Sequence, residues 1–238
     1  MGQLPEIDED EAGSWLYPTN YEVRPYQRAI TETALFQNTL VCLPTGLGKT
    51  LIASVVMHAY YEWFPTGIII FMAPTKPLVT QQLKACHDIM GIPVEHTAHL
   101  EGSVSAEKRE RIWDHHRVFF CTPQTLQNDL AKQRLDPKKV VCVVFDEAHK
   151  ATQGYAYTVI MDALVDAKAQ FRVLALSATP GSEVRKIQQV IDNLRITRIE
   201  VRTEDDPDVL PYKQLITRET VITFRNPSIS SASCQSLG

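Results

Sequence analysis

Near-continuous apolar runs alternate along the chain with segments whose apolar residues recur every three or four positions. The runs predict strands at 39–43, 67–73, 117–121, 140–145 and 172–177, with a weaker one at 94–100 and a last one at 197–203. Helical spacing falls between them, over 25–36, 51–63, 76–90, 106–114, 124–132, 157–167 and 183–194. Pro25 lies near the first turn of the first helix, where a missing N–H breaks no bond. Apolar strands alternating with helices predict an α/β fold, a mostly parallel sheet with helices on both faces. Ligands of such sheets bind at the carboxyl ends of the strands.

The polar motifs fall at those ends. The first strand runs into Leu43-Pro44-Thr45-Gly46-Leu47-Gly48-Lys49-Thr50, and a helix follows. Strand, glycine turn, Gly-Lys-Thr and helix make the layout of a phosphate-binding loop. Gly46 and Gly48 permit backbone angles that turn successive N–H groups inward. Lys49 is placed to reach β- and γ-phosphates, and Thr50 to put its hydroxyl on Mg²⁺. The general pattern begins with Gly, and Leu43 stands there instead.

The strand at 140–145 ends in Asp146-Glu147. In a chain with a phosphate loop, two carboxylates at a strand end suit a Mg²⁺–nucleotide site. Asp146 is expected to hold the metal through its waters, and Glu147 to act as general base on a water. Ser177 and Thr179 offer hydroxyls at another strand end, or serve as caps of the helix that follows. The carboxamide of Gln27 can pair with an adenine edge, or face solvent from a helix. Lys76 and Gln124 follow proline-containing turns where helix starts can hold a nucleic-acid backbone.

Charge and cysteine usage narrow the picture. The 238 residues carry 24 Lys and Arg against 28 Asp and Glu, a net charge of −4. That balance is unlike a basic nucleic-acid-binding domain, so nucleic acid is expected only through a local groove built largely from backbone donors. Five cysteines, an odd number, with no Cys-x-x-Cys pair, predict free thiols and a reducing compartment. The longest apolar run, 68–73, is too short to span a bilayer, and no membrane association is expected. His96, His99, His115 and His116 have no cysteine cluster beside them and are expected at the surface rather than on a metal. The acidic residues at 6–11 predict a solvated, disordered tail over 1–16, and the Ser-rich stretch from Asn226 predicts a disordered end.

The motifs together resemble superfamily 2 helicases. Arg-Pro-Tyr-Gln, Pro-Thr-Gly-Leu-Gly-Lys-Thr, Ala-Pro-Thr-Lys-Pro-Leu-Val, Thr-Pro-Gln, Asp-Glu-Ala-His and Ser-Ala-Thr-Pro-Gly occur in that family's order. The runs at 17–21, 39–50, 72–82 and 174–181 resemble, more closely, the Fanconi anaemia complementation group M family and its archaeal fork-processing relatives. The resemblance covers about 15–212 and implies a RecA-like P-loop NTPase lobe over 17–203. It implies ATP and Mg²⁺ as cofactors and DNA, forked or four-way, as partner, with repair-complex proteins and the nucleus as setting. By resemblance Gln27 reads adenine, and the loop from Leu43 to Thr50 holds the triphosphate. Lys76, Thr122 and Gln124 then lie along DNA, while His149, Ser177 and Thr179 couple nucleotide state to DNA binding. The family accepts a loop without the first glycine. A complete motor also carries a second lobe, whose motifs do not occur within 204–238, so these residues are expected to be an extension, and the chain a fragment or a truncated product. Two rival readings stay open: an RNA-directed Dicer-like lobe, and a non-catalytic nucleotide-binding or interaction module.

Overall fold

The computed structural model describes residues 3–152, 154–179 and 183–212. Within them, seven strands form one sheet in the order β3-β4-β2-β5-β6-β1-β7, and every recorded pairing is parallel. The strands are β1 Thr39–Cys42, β2 Ile68–Met72, β3 Thr97–Leu100, β4 Val118–Cys121, β5 Val140–Phe145, β6 Arg172–Ser177 and β7 Arg198–Val201. The helices are α1 Pro25–Phe36, α2 Lys49–Trp63, α3 Lys76–Met90, α4 Ala106–His115, α5 Pro123–Ala131, α6 Ala156–Asp166 and α7 Val184–Asn193. This is the RecA-like α/β arrangement the sequence implies.

Strands β1, β2, β4 and β5 are buried at every residue, because helices cover both faces. One apolar layer packs α1, α2 and α3 on the sheet through Ile30, Leu35, Ile52, Val56, Val79 and Cys86. The other packs α4 to α7 through Trp113, Leu126, Ile160, Leu164 and Val190. One irregularity breaks the alternation. The register between β2 and β5 shifts after Ile68, which pairs with Val140 while Ile69 pairs with Cys142. Val141 is thus the extra residue, and it shares a face with Cys142.

Two sequence expectations change. The weak strand at 94–100 keeps only its second half. Val94–His96 forms a 3-10 turn, in which His96 N–H donates to Pro93 O at 3.0 Å, and β3 begins after it. The stretch 1–16, expected as a disordered tail, is over its described residues a turn held against the end of α2. Asp8 N–H donates to Trp63 O at 2.7 Å, and the Trp63 indole donates to Ser14 O at 2.6 Å. The acidic side chains stay at the surface while their backbone finds partners. Residues 204–212 turn back on the lobe: Val209 is buried in the layer with α1, and Tyr212 packs on Tyr26. The Ser-rich stretch from Asn226, with Cys234, lies outside the described residues.

The cysteines Cys42, Cys86, Cys121 and Cys142 are free and buried. Burial pushes the Cys86 and Cys142 thiols up to about 12 and Cys42 to about 11, so they act as small apolar side chains.

One buried ionic cluster fixes a strand-end loop. Asp129 in α5 is fully buried and accepts from Arg109 Nε at 3.1 Å, Arg134 Nη1 at 2.8 Å and the Trp113 indole at 3.0 Å. Arg109 also donates to Gly102 O at 3.2 Å and Val104 O at 2.9 Å, tying down the loop between β3 and α4. Asp129→Ala leaves two guanidinium groups and an indole without their acceptor. The expected cost is about 3–5 kcal/mol, read by urea unfolding; a loss under about 1 kcal/mol would show that the cluster carries little of the fold.

Candidate nucleotide site

Parallel pairing of β1 with β6 puts Leu43 beside the end of Ser177, and Leu43 N–H donates to Ser177 O at 3.1 Å. The chain then turns through Pro44 and Thr45 into Gly46 at φ 87° and Gly48 at φ 91°. These are left-handed angles that glycine adopts without steric cost. Leu43 has no positive φ and its side chain is buried in the core, so a glycine is not required at the first position of the loop. The structure thus supplies the reason the motif departs from its general form.

Gly48 meets a second constraint. The Gln27 carboxamide lies against it, with Nε2 donating to Leu47 O at 2.9 Å. A Cβ on residue 48 would fall on that carboxamide. Tyr26 OH donates to the same Leu47 carbonyl at 2.9 Å, and Tyr17 OH donates to Gln27 Oε1 at 3.4 Å. Gln27 is therefore buried against the loop, not facing solvent. Beside it, a recess of about 250 Å³ is lined by Tyr21, Arg24, Gln27, Gly46, Gly48 and Thr50, among others.

Lys49 opens α2 and turns its amine onto Leu43 O at 2.6 Å and Pro44 O at 3.3 Å. Burial lowers its pKa, and the nearby carboxylates of Asp146 and Glu147 counter that shift. Asp146 directly follows β5 and is almost wholly buried. Burial raises its pKa, Glu147 adds to the rise, and the Glu147 N–H, Lys49 and Gln82 oppose it. Burial thus disfavours both charges, each of which lacks full compensation from the other. Glu147 has the left-handed angles φ 51° and ψ 47°, a strained conformation for a residue with a side chain. Its carboxylate lies 3.2 Å from His149 Nδ1.

A residue the motifs did not point to joins the two halves. Thr50 Oγ donates to Gln82 Oε1 at 3.0 Å, and Gln82 Nε2 donates to Asp146 Oδ2 at 3.3 Å. Gln82 lies within α3 as the last residue of the run 72–82, and its neighbourhood in space, not that run, assigns it a part in the site. The donor set of a hydroxyl and a carboxylate fits a hard cation that takes oxygen ligands and keeps several waters. Among the described residues no group of three or more His, Cys, Asp and Glu side chains could hold a metal ion by protein ligands alone. A Mg²⁺ held by one or two protein oxygens, waters and phosphate fits that chemistry.

The remaining expected residues divide. Ser177 is buried and its hydroxyl donates to Thr179 O at 2.6 Å, which fixes the turn after β6; Thr179 is exposed. Pro180 and Gly181, which complete that motif, lie outside the described residues. Lys76 is the first residue of α3 and lies 3.6 Å from Glu101 across an exposed ion pair. Thr122 precedes α5, Gln124 lies in its first turn, and Thr122 Oγ1 is 3.0 Å from Thr125 Oγ1. Neither helix start is capped by a side chain, and α3 and α5 begin on the same edge of the sheet. The three residues are not bonded to the phosphate-loop residues; they form a separate stretch of that edge.

Gly48→Ala is expected to destabilise the fold by about 1–3 kcal/mol, from the left-handed angle together with displacement of Gln27. Thermal unfolding checks it, and an unchanged midpoint would mean that Gln27 yields without cost.

Comparison with known proteins agrees with this fold. The DEAD/DEAH box helicase family matches residues 24–187. The Fanconi anemia group M protein homolog of Mus musculus is 57% identical over 198 residues, which is 83% of this chain and 10% of that protein. The ATP-dependent DNA helicase fml1 of Schizosaccharomyces pombe is 51% identical over 209 residues, 88% of this chain and 25% of that protein. The chain therefore spans between a tenth and a quarter of the length of these curated relatives. Among solved structures, the Hef helicase domain of Pyrococcus furiosus superposes with a TM-score of 0.75 at 40% identity, covering 80% of this chain and 40% of that one. With the phosphate loop, the Asp-Glu-Ala-His strand end and the RecA-like sheet all in place, the chain belongs to the DEAD/DEAH box helicase family.

Proposed function

We propose that the chain is the ATP-binding lobe of a DNA helicase or translocase that remodels forked and four-way DNA in repair. The observation that supports the reading is the hydrogen-bonded bridge from Thr50 through Gln82 to Asp146, with Lys49 close to Asp146 and Glu147. The relatives fml1 and MPH1, named as DNA helicases, support DNA as the substrate, while a 53% identical relative of Arabidopsis thaliana is named as an RNA helicase. Among the described residues no helix is long and apolar enough to cross a membrane. We assign the setting as nuclear, with repair-complex proteins as partners, on the strength of the Fanconi anemia group M relatives.

In this reading the loop from Leu43 to Thr50 surrounds the triphosphate with backbone N–H groups, and the start of α2 adds its partial positive charge. Lys49 leaves the Leu43 and Pro44 carbonyls for the β- and γ-phosphates. Gln27 pairs with adenine beside the loop. Thr50 and Asp146 hold Mg²⁺, the latter through water. When bound, Mg²⁺ neutralises charge on the phosphate oxygens. Glu147 takes a proton from the attacking water as general base. His149, paired with Glu147, and Ser177 with Thr179 report nucleotide state to the DNA side. Lys76, Thr122 and Gln124 meet the DNA backbone at the starts of α3 and α5.

Three outcomes test this. Lys49→Ala removes a charge-assisted contact and is expected to weaken ATP binding by about 1.5–3 kcal/mol in a fluorescent-nucleotide titration; equal affinity would remove the loop from the site. Glu147→Gln in a two-lobe protein is expected to keep Mg²⁺-dependent binding while turnover falls roughly 10²-fold or more. Asp146→Asn is expected to change the Mg²⁺ dependence instead, and identical behaviour of the two variants contradicts the division of roles.

The lobe approaches the γ-phosphate from one side, and by family resemblance an arginine of a second lobe completes it. Such an arginine is worth about 10³ to 10⁵ in turnover in related phosphoryl-transfer enzymes. The 238-residue polypeptide alone is therefore expected to bind ATP yet hydrolyse it close to background with fork DNA present. Its DNA binding is expected to be weak, weaker still with added salt, and no tighter for double-stranded RNA. Fork-stimulated turnover equal to that of a two-lobe protein would contradict this.

A further inference from the structure

We propose that Gln82 is a positioning residue for the metal: it orients the Thr50 hydroxyl and the Asp146 carboxylate toward Mg²⁺. The inference rests on the nucleotide-site reading above and adds a residue that none of the phosphate-loop or acidic motifs contains.

The geometry makes the case. A threonine that ligates a cation through its oxygen must send its hydroxyl hydrogen elsewhere. Thr50 sends it to Gln82 Oε1 at 3.0 Å, which leaves its lone pairs available. The other end of the same carboxamide donates to Asp146 Oδ2 at 3.3 Å. Asp146 Oδ1 accepts from Glu147 N–H at 3.0 Å. Both carboxylate oxygens are therefore fixed, one by the backbone and one by Gln82. Thr50 is the second residue of α2 and Asp146 directly follows β5, so two separate elements carry the ligands. Gln82 stands on a third, α3, which packs on α2. Only a side chain that accepts at one atom and donates at another can serve both ligands at once. Asn is one methylene short, Glu has no donor when ionised, and Met has neither group.

Groups that hold metal ligands in place typically contribute about 10- to 100-fold to metal affinity. The test titrates Mg²⁺ into the 238-residue chain with a fluorescent ATP analogue and repeats the nucleotide titration in EDTA. Gln82→Met is expected to raise the Mg²⁺ concentration at half-effect about 10-fold or more, with metal-free nucleotide affinity within about twofold of the unaltered chain. Gln82→Asn is expected to do the same, and it decides the matter if the Met variant does not fold. Asp146→Asn runs beside them as the control on the site itself. If it shifts the Mg²⁺ titration while both Gln82 variants leave it unchanged, the role of Gln82 is overturned and the site reading stands. If none of the three shifts it, the metal reading fails and takes the inference with it. Equal loss of metal-free and Mg²⁺-dependent binding in the Gln82 variants also overturns it, because the residue would then be only structural.

Discussion

All the strands of the described sheet run in one direction, and the site depends on that constraint. Each strand delivers the loop that follows it to the same edge. β1 delivers the glycine turn, β5 delivers Asp146 and Glu147, and β6 delivers Ser177. Burial on both faces holds the strands in register, and register decides which loop residues meet. The Leu43 N–H to Ser177 O bond and the Asp146 N–H to Met72 O bond extend the ladders into the loops themselves. The polar machinery thus stands on an apolar base that contributes no chemistry and all of the placement.

Buried charge and left-handed backbone meet at that edge, while left-handed residues also occur elsewhere, at Gln133, Lys168 and Arg195. Burial pushes Lys49 and Asp146 each toward the neutral form, and their mutual attraction only partly offsets it. Glu147 holds left-handed angles, and the two loop glycines hold angles other residues resist. These features weaken the fold locally and suit the binding of a polyanion with its cation. They occur together where the sheet gives the loops rigid support, which is where a strained site can persist. The Asp129 cluster supplies the same kind of support further along, holding the loop between β3 and α4 through Arg109.

Much of this was legible in the sequence. Apart from β3, apolar runs marked the strands within one or two residues; β1, β2, β4 and β5 are buried at every residue and so read as continuous runs. Helix α1 starts at Pro25 and α3 at Lys76, as periodicity and the prolines indicate. The half-strand at 94–96 was misread because Pro93 and a local hydrogen bond favour a tight turn over extended chain. The acidic stretch before Trp15 was misread because its side chains are solvated while its backbone bonds to Trp63, which composition does not report. Gln82 was missed for a different reason: its role comes from two contacts distant in sequence, to Thr50 and Asp146, and no spacing rule connects them. The Asp129 cluster is hidden likewise, since Arg109, Asp129 and Arg134 lie in different segments and no spacing rule joins them.

The central claim is that the strand-end loops of β1 and β5 form one Mg²⁺–nucleotide site. A crystal structure of the chain with Mg²⁺ and a non-hydrolysable ATP analogue tests it directly. The account predicts Lys49 Nζ on the β- and γ-phosphates instead of the Leu43 and Pro44 carbonyls, with the Thr50 hydroxyl on the metal and Asp146 behind its waters. Nucleotide bound elsewhere, or bound here with Lys49 still on those carbonyls, would contradict it.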